Sequence, residues 1–105
     1  MDCWGVVRYF YNVYYNIVLP EFYNETPETE EAGEIVKTKL DKFYEVKTPN
    51  IGDIVLLKMY GVPSHTAIYI DSRNILHTTK NTGSILEPIS RWKNLIVGYY
   101  RIRND

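Results

Sequence analysis

The pattern of apolar residues changes once along this chain, and that change limits the folds open to it. Up to about residue 43, the apolar residues recur at helical spacing. After the turn residues Pro49, Asn50 and Gly52, they fall into short runs rich in β-branched and aromatic residues. Helices that precede strands in this way pack against one face or end of an antiparallel sheet. The sequence therefore predicts an α+β domain.

Two helices are predicted in the first part of the chain. The first covers residues 3–18, with Asp2 as its N-cap and Pro20 as its stop. The second has Thr26 as its cap and Pro27 at its first helical position. The apolar stripe of this second helix consists of Ala32, Ile35, Val36, Leu40 and Phe43.

Five strands follow, and they are predicted to form an antiparallel meander. Their ranges are 54–59, 66–70, 75–79, 84–87 and 96–102. A chain of 105 residues and 12.4 kDa has room for one domain, residues 1–105. Its single cysteine excludes an internal disulfide, so the core must come from packing alone.

The charge of the chain argues against two classes of partner. A net charge of −1 gives no electrostatic field over the whole protein that would attract nucleic acid or an anionic membrane. We find no signal peptide and no apolar run of 18 residues, so we expect synthesis in the cytoplasm without membrane insertion. Charge is uneven, however: residues 73–103 hold six basic residues and Glu87 as the one acid. This basic rim either is simply solvated or faces an anionic polymer.

Cys3 stands at the predicted start of the first helix. Unpaired backbone N–H groups and the positive end of the helix dipole favour a thiolate there. The same N–H groups, near Asp2 and Cys3, could hold a developing oxyanion. The alternative is an inert, buried thiol.

His65 and His77, the two histidines of the chain, fall on adjacent predicted strands. By alternation, a hairpin could place both on one face of the sheet. Simple pairing brings His77 nearer to Tyr69 than to His65, so contact between the two rings needs a bulge or strong coiling. Each histidine could also be an ordinary hydrogen-bonded core residue.

Taken together, Cys3, His65 and His77 are the parts of a thiol nucleophile, its general base and a group that orients the base. A zinc ion could use the same three side chains. The sequence has no CxxC or HxxxH pair and no fourth ligand for a closed zinc site, so we predict neither a metal nor a cofactor.

Four short segments resemble one known family, in the same order as they occur there. They are DCWGVV at 2–7, GDIVL at 52–56, SHTAIYI at 64–70 and ILHT at 75–78. In this order they are similar to the nucleophile segment, the Gly-Asp strand opening, the base-bearing strand and the third-residue strand of the NlpC-type papain-like cysteine peptidases of cell walls.

The resemblance implies a papain-like α+β fold and a division of roles among three residues. Cys3 would be the nucleophile, His65 the general base, and His77 the polar residue that fixes the imidazole of His65. The substrate would be an amide bond in a peptidoglycan stem peptide, typically between D-glutamate and a diamino acid. Trp4 either lines the substrate groove or packs in the core.

Trp4 and the Leu19-Pro20 stretch further resemble the branch of the family found in bacteriophage tail proteins. This resemblance implies a virion tail component that opens the cell wall during genome delivery, with other tail proteins as partners. Only Met1 and Asp2 precede Cys3. Members of the family normally have a segment before the cysteine that shapes the substrate pocket, so either a partner protein supplies that wall of the pocket or the chain is a truncated or weakened enzyme. The alternative function is a weak or inactive structural tail-tip subunit that keeps the peptidase fold.

The peptidase hypothesis also carries an expectation about pH. If Cys3 is ionised while its histidine partner is charged, the pH profile of activity is bell-shaped.

Overall fold

A six-stranded antiparallel sheet forms the centre of the structure, a computed structural model that describes residues 3–20, 40–59, 61–79 and 83–103. The strands are β1 (Phe43–Val46), β2 (Ile54–Met59), β3 (Val62–Tyr69), β4 (Asn74–Thr79), β5 (Gly83–Pro88) and β6 (Ile96–Ile102). Within the described residues, two α-helices accompany them, α1 (Cys3–Tyr15) and the short α2 (Ile89–Trp92). The predicted α+β class is confirmed.

Helix α1 ends three residues before the predicted boundary at 18. Asn16 has a φ of 56° and its N–H donates to the carbonyl of Asn12, so the helix closes in a left-handed cap. Asparagine is one of the few residues that adopt this conformation readily. The stop is therefore Asn16, and not Pro20. Asp2, the predicted N-cap, lies outside the described residues.

The predicted second helix falls mostly on residues 21–39, which lie outside the described residues. Its predicted end is wrong where it can be compared. Leu40–Lys42 form a single 3-10 turn, and Phe43 opens strand β1. Phe43 is a buried core residue, so its apolar character fitted a helical stripe and a strand equally well.

The strand order is β1-β6-β2-β3-β4-β5, which confirms the meander only from β2 to β5. Strand β6 returns to pair with β2, and β1 then extends the sheet beyond β6. Strand β3 starts at Val62, four residues earlier than predicted. Gly61, with a φ of 78°, lets the chain reverse so tightly that Met59 pairs with Val62.

The two faces of the sheet carry separate apolar clusters. On one face, here the α1 face, residues of α1 pack against Ile54, Leu56 and Ile68. On the other, the α2 face, Val55, Leu57, Ala67 and Ile75 pack with residues of α2 and β6. Among the described residues, no helix is long and apolar enough to cross a membrane. The α2 face is the one that carries the candidate site.

Candidate active site

His65 and His77 are brought together by the register of β3 against β4. Ile68 pairs with Leu76, and Tyr69 pairs with Ile75. By alternation along each strand, His65 and His77 then lie on the same face of the sheet. Nε2 of His65 lies 2.8 Å from Nδ1 of His77. The expectation that simple pairing keeps His77 nearer to Tyr69 is therefore corrected.

Two bulges shape the sheet around these residues. The register of β2 against β3 shifts between Leu57 and Lys58, immediately beside the pair of Leu57 with His65. The register of β2 against β6 shifts between Leu56 and Leu57. Bulges increase local twist and re-aim side chains. Both of these shifts lie in the ladders of β2, beside the strands that carry the two rings and not between them.

The next strand adds a carboxylate to the pair of histidines. On β5, Glu87 is the diagonal neighbour of His77, because Ile75 pairs with Glu87 and His77 pairs with Ile85. Oε1 of Glu87 lies 2.7 Å from Nε2 of His77. Nη1 of Arg91 donates to Oε2 of Glu87 at 2.6 Å. We call His65, His77, Glu87 and Arg91 the relay; it crosses three strands and ends on α2.

The relay is closed off from solvent except at Arg91. His65 is 7%, His77 0% and Glu87 8% exposed, whereas the Arg91 side chain is 67% exposed. The indole of Trp92 covers both imidazoles: it stacks on His65 with 6.2 Å between centroids and meets His77 edge-on at 5.0 Å. A dry site of this kind strengthens each electrostatic interaction within it.

Burial sets the charges of the relay. Desolvation and the neighbouring His77 lower the pKa of His65 to about 4, so its imidazole is neutral at physiological pH. The hydrogen bond from His77, helped by Arg91, holds the pKa of Glu87 below its usual value and keeps the carboxylate ionised.

Cys3 begins α1 and is half-buried. The other end of this helix is tied to the end of β3: the Tyr11 hydroxyl donates to the Gly52 carbonyl at 2.6 Å, and the Gly52 N–H donates to the Tyr69 carbonyl at 2.8 Å. Helix α1 packs against β3 and β4, the strands that carry the two histidines.

The expectation that Trp4 lines a substrate groove is corrected. Trp4 is 3% exposed and belongs to the apolar cluster of the α1 face. Its indole N–H donates to the Pro20 carbonyl at 2.8 Å, while Nε of Arg8 donates to the Leu19 carbonyl at 3.0 Å. Trp4 thus holds the chain that follows α1, which is the packing alternative that the sequence left open.

Sequence reasoning missed three members of the site, namely Glu87, Arg91 and Trp92. One signal for Glu87 was available: residues 73–103 hold six basic residues, and Glu87 is the only acid among them. A single buried-strand carboxylate in basic surroundings is a candidate partner for a histidine. Arg91, four residues later, then follows as its ion-pair partner at helical spacing. Nothing in the sequence pointed to Trp92 as the cover of the imidazoles.

The fold and the site together define a class: a papain-like α+β domain with a cysteine at a helix start and hydrogen-bonded histidines on adjacent strands. The sequence profile of the NlpC/P60 family matches residues 1–101, and the chain belongs to the NlpC/P60 family.

A solved structure supports the same fold. The chain is similar to a lipoprotein-like protein of the NLP/P60 family from Staphylococcus aureus subsp. aureus Mu50, with a TM-score of 0.70 and 20% sequence identity. The match covers 99% of this chain and 32% of that one, so this chain spans about a third of the length of the Staphylococcus protein. A comparison with curated protein sequences gave no significant match.

Proposed function

We propose that this chain is a cysteine endopeptidase that hydrolyses amide bonds in the stem peptides of peptidoglycan. The observation that carries the proposal is the buried hydrogen-bonded chain from His65 through His77 to Glu87, in an NlpC/P60 domain whose first helix begins with Cys3. Buried titratable groups in series, with a pKa shifted by desolvation, are typical of catalytic sites. A purely structural sheet would gain more from apolar side chains at these positions.

In the first half of the proposed reaction, the Cys3 sulfur attacks the carbonyl carbon of the scissile amide. The thiol proton passes to Nδ1 of His65, because Nε2 of that ring is engaged with His77. Backbone N–H groups near Asp2 and Cys3 stabilise the oxyanion of the tetrahedral intermediate. As the C–N bond breaks, His65 returns the proton to the leaving amine, and a thioester on Cys3 remains.

In the second half, water hydrolyses the thioester. His65 takes a proton from the water while the water oxygen attacks the thioester carbonyl. The C–S bond then breaks, the proton returns to the Cys3 sulfur, and the product leaves as a carboxylic acid. His77 acts on His65 and not on the substrate, so it is a positioning residue.

Single substitutions test this assignment on a soluble stem-peptide substrate. Cys3→Ala and His65→Ala are each expected to reduce hydrolysis to the uncatalysed rate. His77→Ala should lose less, because it removes orientation and not proton transfer. The exposed Glu45→Gln on β1 serves as a control and should keep the rate of the natural protein. Full activity in Cys3→Ala would rule the proposal out.

We further propose that the protein is carried on a bacteriophage tail, where it opens the wall during genome delivery. The support is the resemblance of Trp4 and the Leu19-Pro20 stretch to that branch of the family. Immunogold labelling of phage particles from the source strain should mark the tail tip. Labelling confined to the cell envelope would contradict this location.

The alternative function, a structural tail-tip subunit, predicts a different result with the same particles. If neither the purified protein nor the assembled particle releases fragments from peptidoglycan, the chain is better described as a structural tail-tip subunit. Activity of the particle alone would instead mean that a partner completes the substrate pocket.

A further inference from the structure

The hydrogen-bond partners of the relay determine where each of its protons lies. An ionised Glu87 can only accept, so Nε2 of His77 carries a proton and donates it at 2.7 Å. In a neutral His77, Nδ1 is then the acceptor. Nε2 of His65 must therefore be the donor in the 2.8 Å contact between the rings. In a neutral His65 this leaves the lone pair on Nδ1.

We propose that Glu87 is a positioning residue that sets the tautomers of both histidines. The inference rests on the proposed function, because Nδ1 of His65 is the nitrogen that would accept the thiol proton. The opposite order, with the proton on Nδ1 of each ring, would turn the lone pair of His65 toward His77 and away from the substrate. His65 would then be intact and correctly placed, but unable to act as a base.

Arg91 makes the direction of this arrangement testable. It presents an N–H to one carboxylate oxygen of Glu87 at 2.6 Å, while His77 occupies the other. In Glu87→Gln the amide oxygen is drawn toward Arg91, because two N–H donors cannot face each other. The amide NH2 group then faces Nε2 of His77 and donates to it, which reverses both tautomers. Removing Arg91 as well lets the amide turn over and accept from His77 again.

The test is a set of four variants with nearly unchanged shape: Glu87→Gln, Arg91→Met, the double variant, and Glu45→Gln as a control. Glu87→Gln should lower kcat for stem-peptide hydrolysis at least about 10-fold with KM little changed. Arg91→Met alone is the reference for the double variant: Glu87 can still accept from His77, so both tautomers should stay as in the natural protein. The double variant should regain much of the activity that Glu87→Gln loses, and Glu45→Gln should keep all of it.

A spectroscopic readout separates this inference from the proposed function. Long-range 1H–15N NMR of the two histidines reports their tautomers whether or not the protein cleaves peptidoglycan. We expect Nε2–H for both rings in the natural protein, Nδ1–H in Glu87→Gln, and Nε2–H again in the double variant. Unchanged tautomers in Glu87→Gln, or a double variant no more active than Glu87→Gln, would overturn the inference. If the natural protein is inactive but the tautomers switch as expected, only the proposed function fails.

Discussion

At the scale of single residues, the environment of His65 favours a neutral base. The ring is 7% exposed, stacked on Trp92 and hydrogen-bonded to a second imidazole. A positive charge in this position would lose its hydration and face His77, and both effects oppose protonation. This alters the expectation of a charged histidine beside an ionised Cys3. Proton transfer from thiol to imidazole during attack fits the site better than an ion pair formed beforehand.

The pH profile of hydrolysis tests this charge state. Because the pKa of His65 is lowered to about 4, the base is active above that pH and is lost as the pH falls through it. We expect the acid limb of kcat/KM for a soluble stem peptide to lie well below pH 6.5, the usual midpoint of a histidine. An acid limb at pH 6.5 or above would contradict the lowered pKa of His65. A preformed ion pair would show instead as an alkaline limb, where the charged histidine loses its proton and activity falls. His77→Gln removes one cause of the lowered pKa and should therefore move the acid limb to higher pH.

At the scale of elements, the short helix α2 acts as the cover of the relay. It places Arg91 against Glu87 and Trp92 over both imidazoles. Within the described residues, Nε1 of Trp92 is buried and has no hydrogen-bond partner. The contribution of the indole is therefore its aromatic ring, and the burial of its unpaired N–H group costs some free energy.

Substitutions of Trp92 should distinguish the effect of its aromatic ring from the effect of its N–H group. Trp92→Phe keeps an aromatic cover and removes the unpartnered donor, so we expect thermal stability and activity close to those of the natural protein. Trp92→Ala removes the cover and should reduce the free energy of unfolding by about 3 kcal/mol or more. It should also raise the pKa of His65, because water gains access to the ring. Chemical denaturation and NMR titration measure the two effects, and equal behaviour of both variants would contradict this account.

The turn before β2 joins the end of α1 to the sheet. Gly52 has a φ of 91°, its carbonyl accepts from Tyr11, and its N–H donates to Tyr69. Asp53 accepts a hydrogen bond from the N–H of Asn50 and pairs with Arg101 at 2.8 Å. Gly52 thus holds a left-handed turn, and Asp53 ties the backbone at Asn50 to the start of β2.

Gly52→Ala should be more destabilising than the matched change Gly61→Ala. Both glycines have positive φ, so both substitutions strain the backbone by about 1 kcal/mol or more. Among the described residues, an added Cβ at Gly61 meets no atom within 4 Å, whereas at Gly52 it would clash with the Tyr15 hydroxyl and force that ring aside. Urea denaturation should show the difference as a lower midpoint for Gly52→Ala. Equal midpoints would mean that Tyr15 adds nothing to the docking of α1.

At the scale of the whole molecule, the sequence predicts the elements better than their arrangement. The ranges of β2 and β6 agree with the structure because apolar β-rich runs bounded by turn residues depend on local chemistry. The return of β6 to β2 and the addition of β1 depend instead on pairings between distant segments, for which the sequence carries no local signal.

The same division holds for the candidate site. Cys3, His65 and His77 could be selected because few residue types perform nucleophilic and base chemistry, and the chain holds only one cysteine and two histidines. The contact between the histidines could not be derived, because it depends on how β3 and β4 lie against each other and not on spacing along the chain. Glu87 could be noticed as a lone acid, but its contact with His77 could not be derived, for a related reason. Its distance from His77 is set by the pairing of β4 with β5, and not by spacing along the chain.

The most direct test of the central claim is mass spectrometry of the soluble fragments released from purified peptidoglycan. The natural protein and Cys3→Ala are incubated in parallel, and the assembled particle is used as well if a partner is needed. We expect new stem-peptide fragments with the natural protein, whose masses identify the cleaved bond, and none with Cys3→Ala. Identical fragments from both proteins, or none from either protein or from the particle, would contradict the assignment of this chain as a cysteine peptidase.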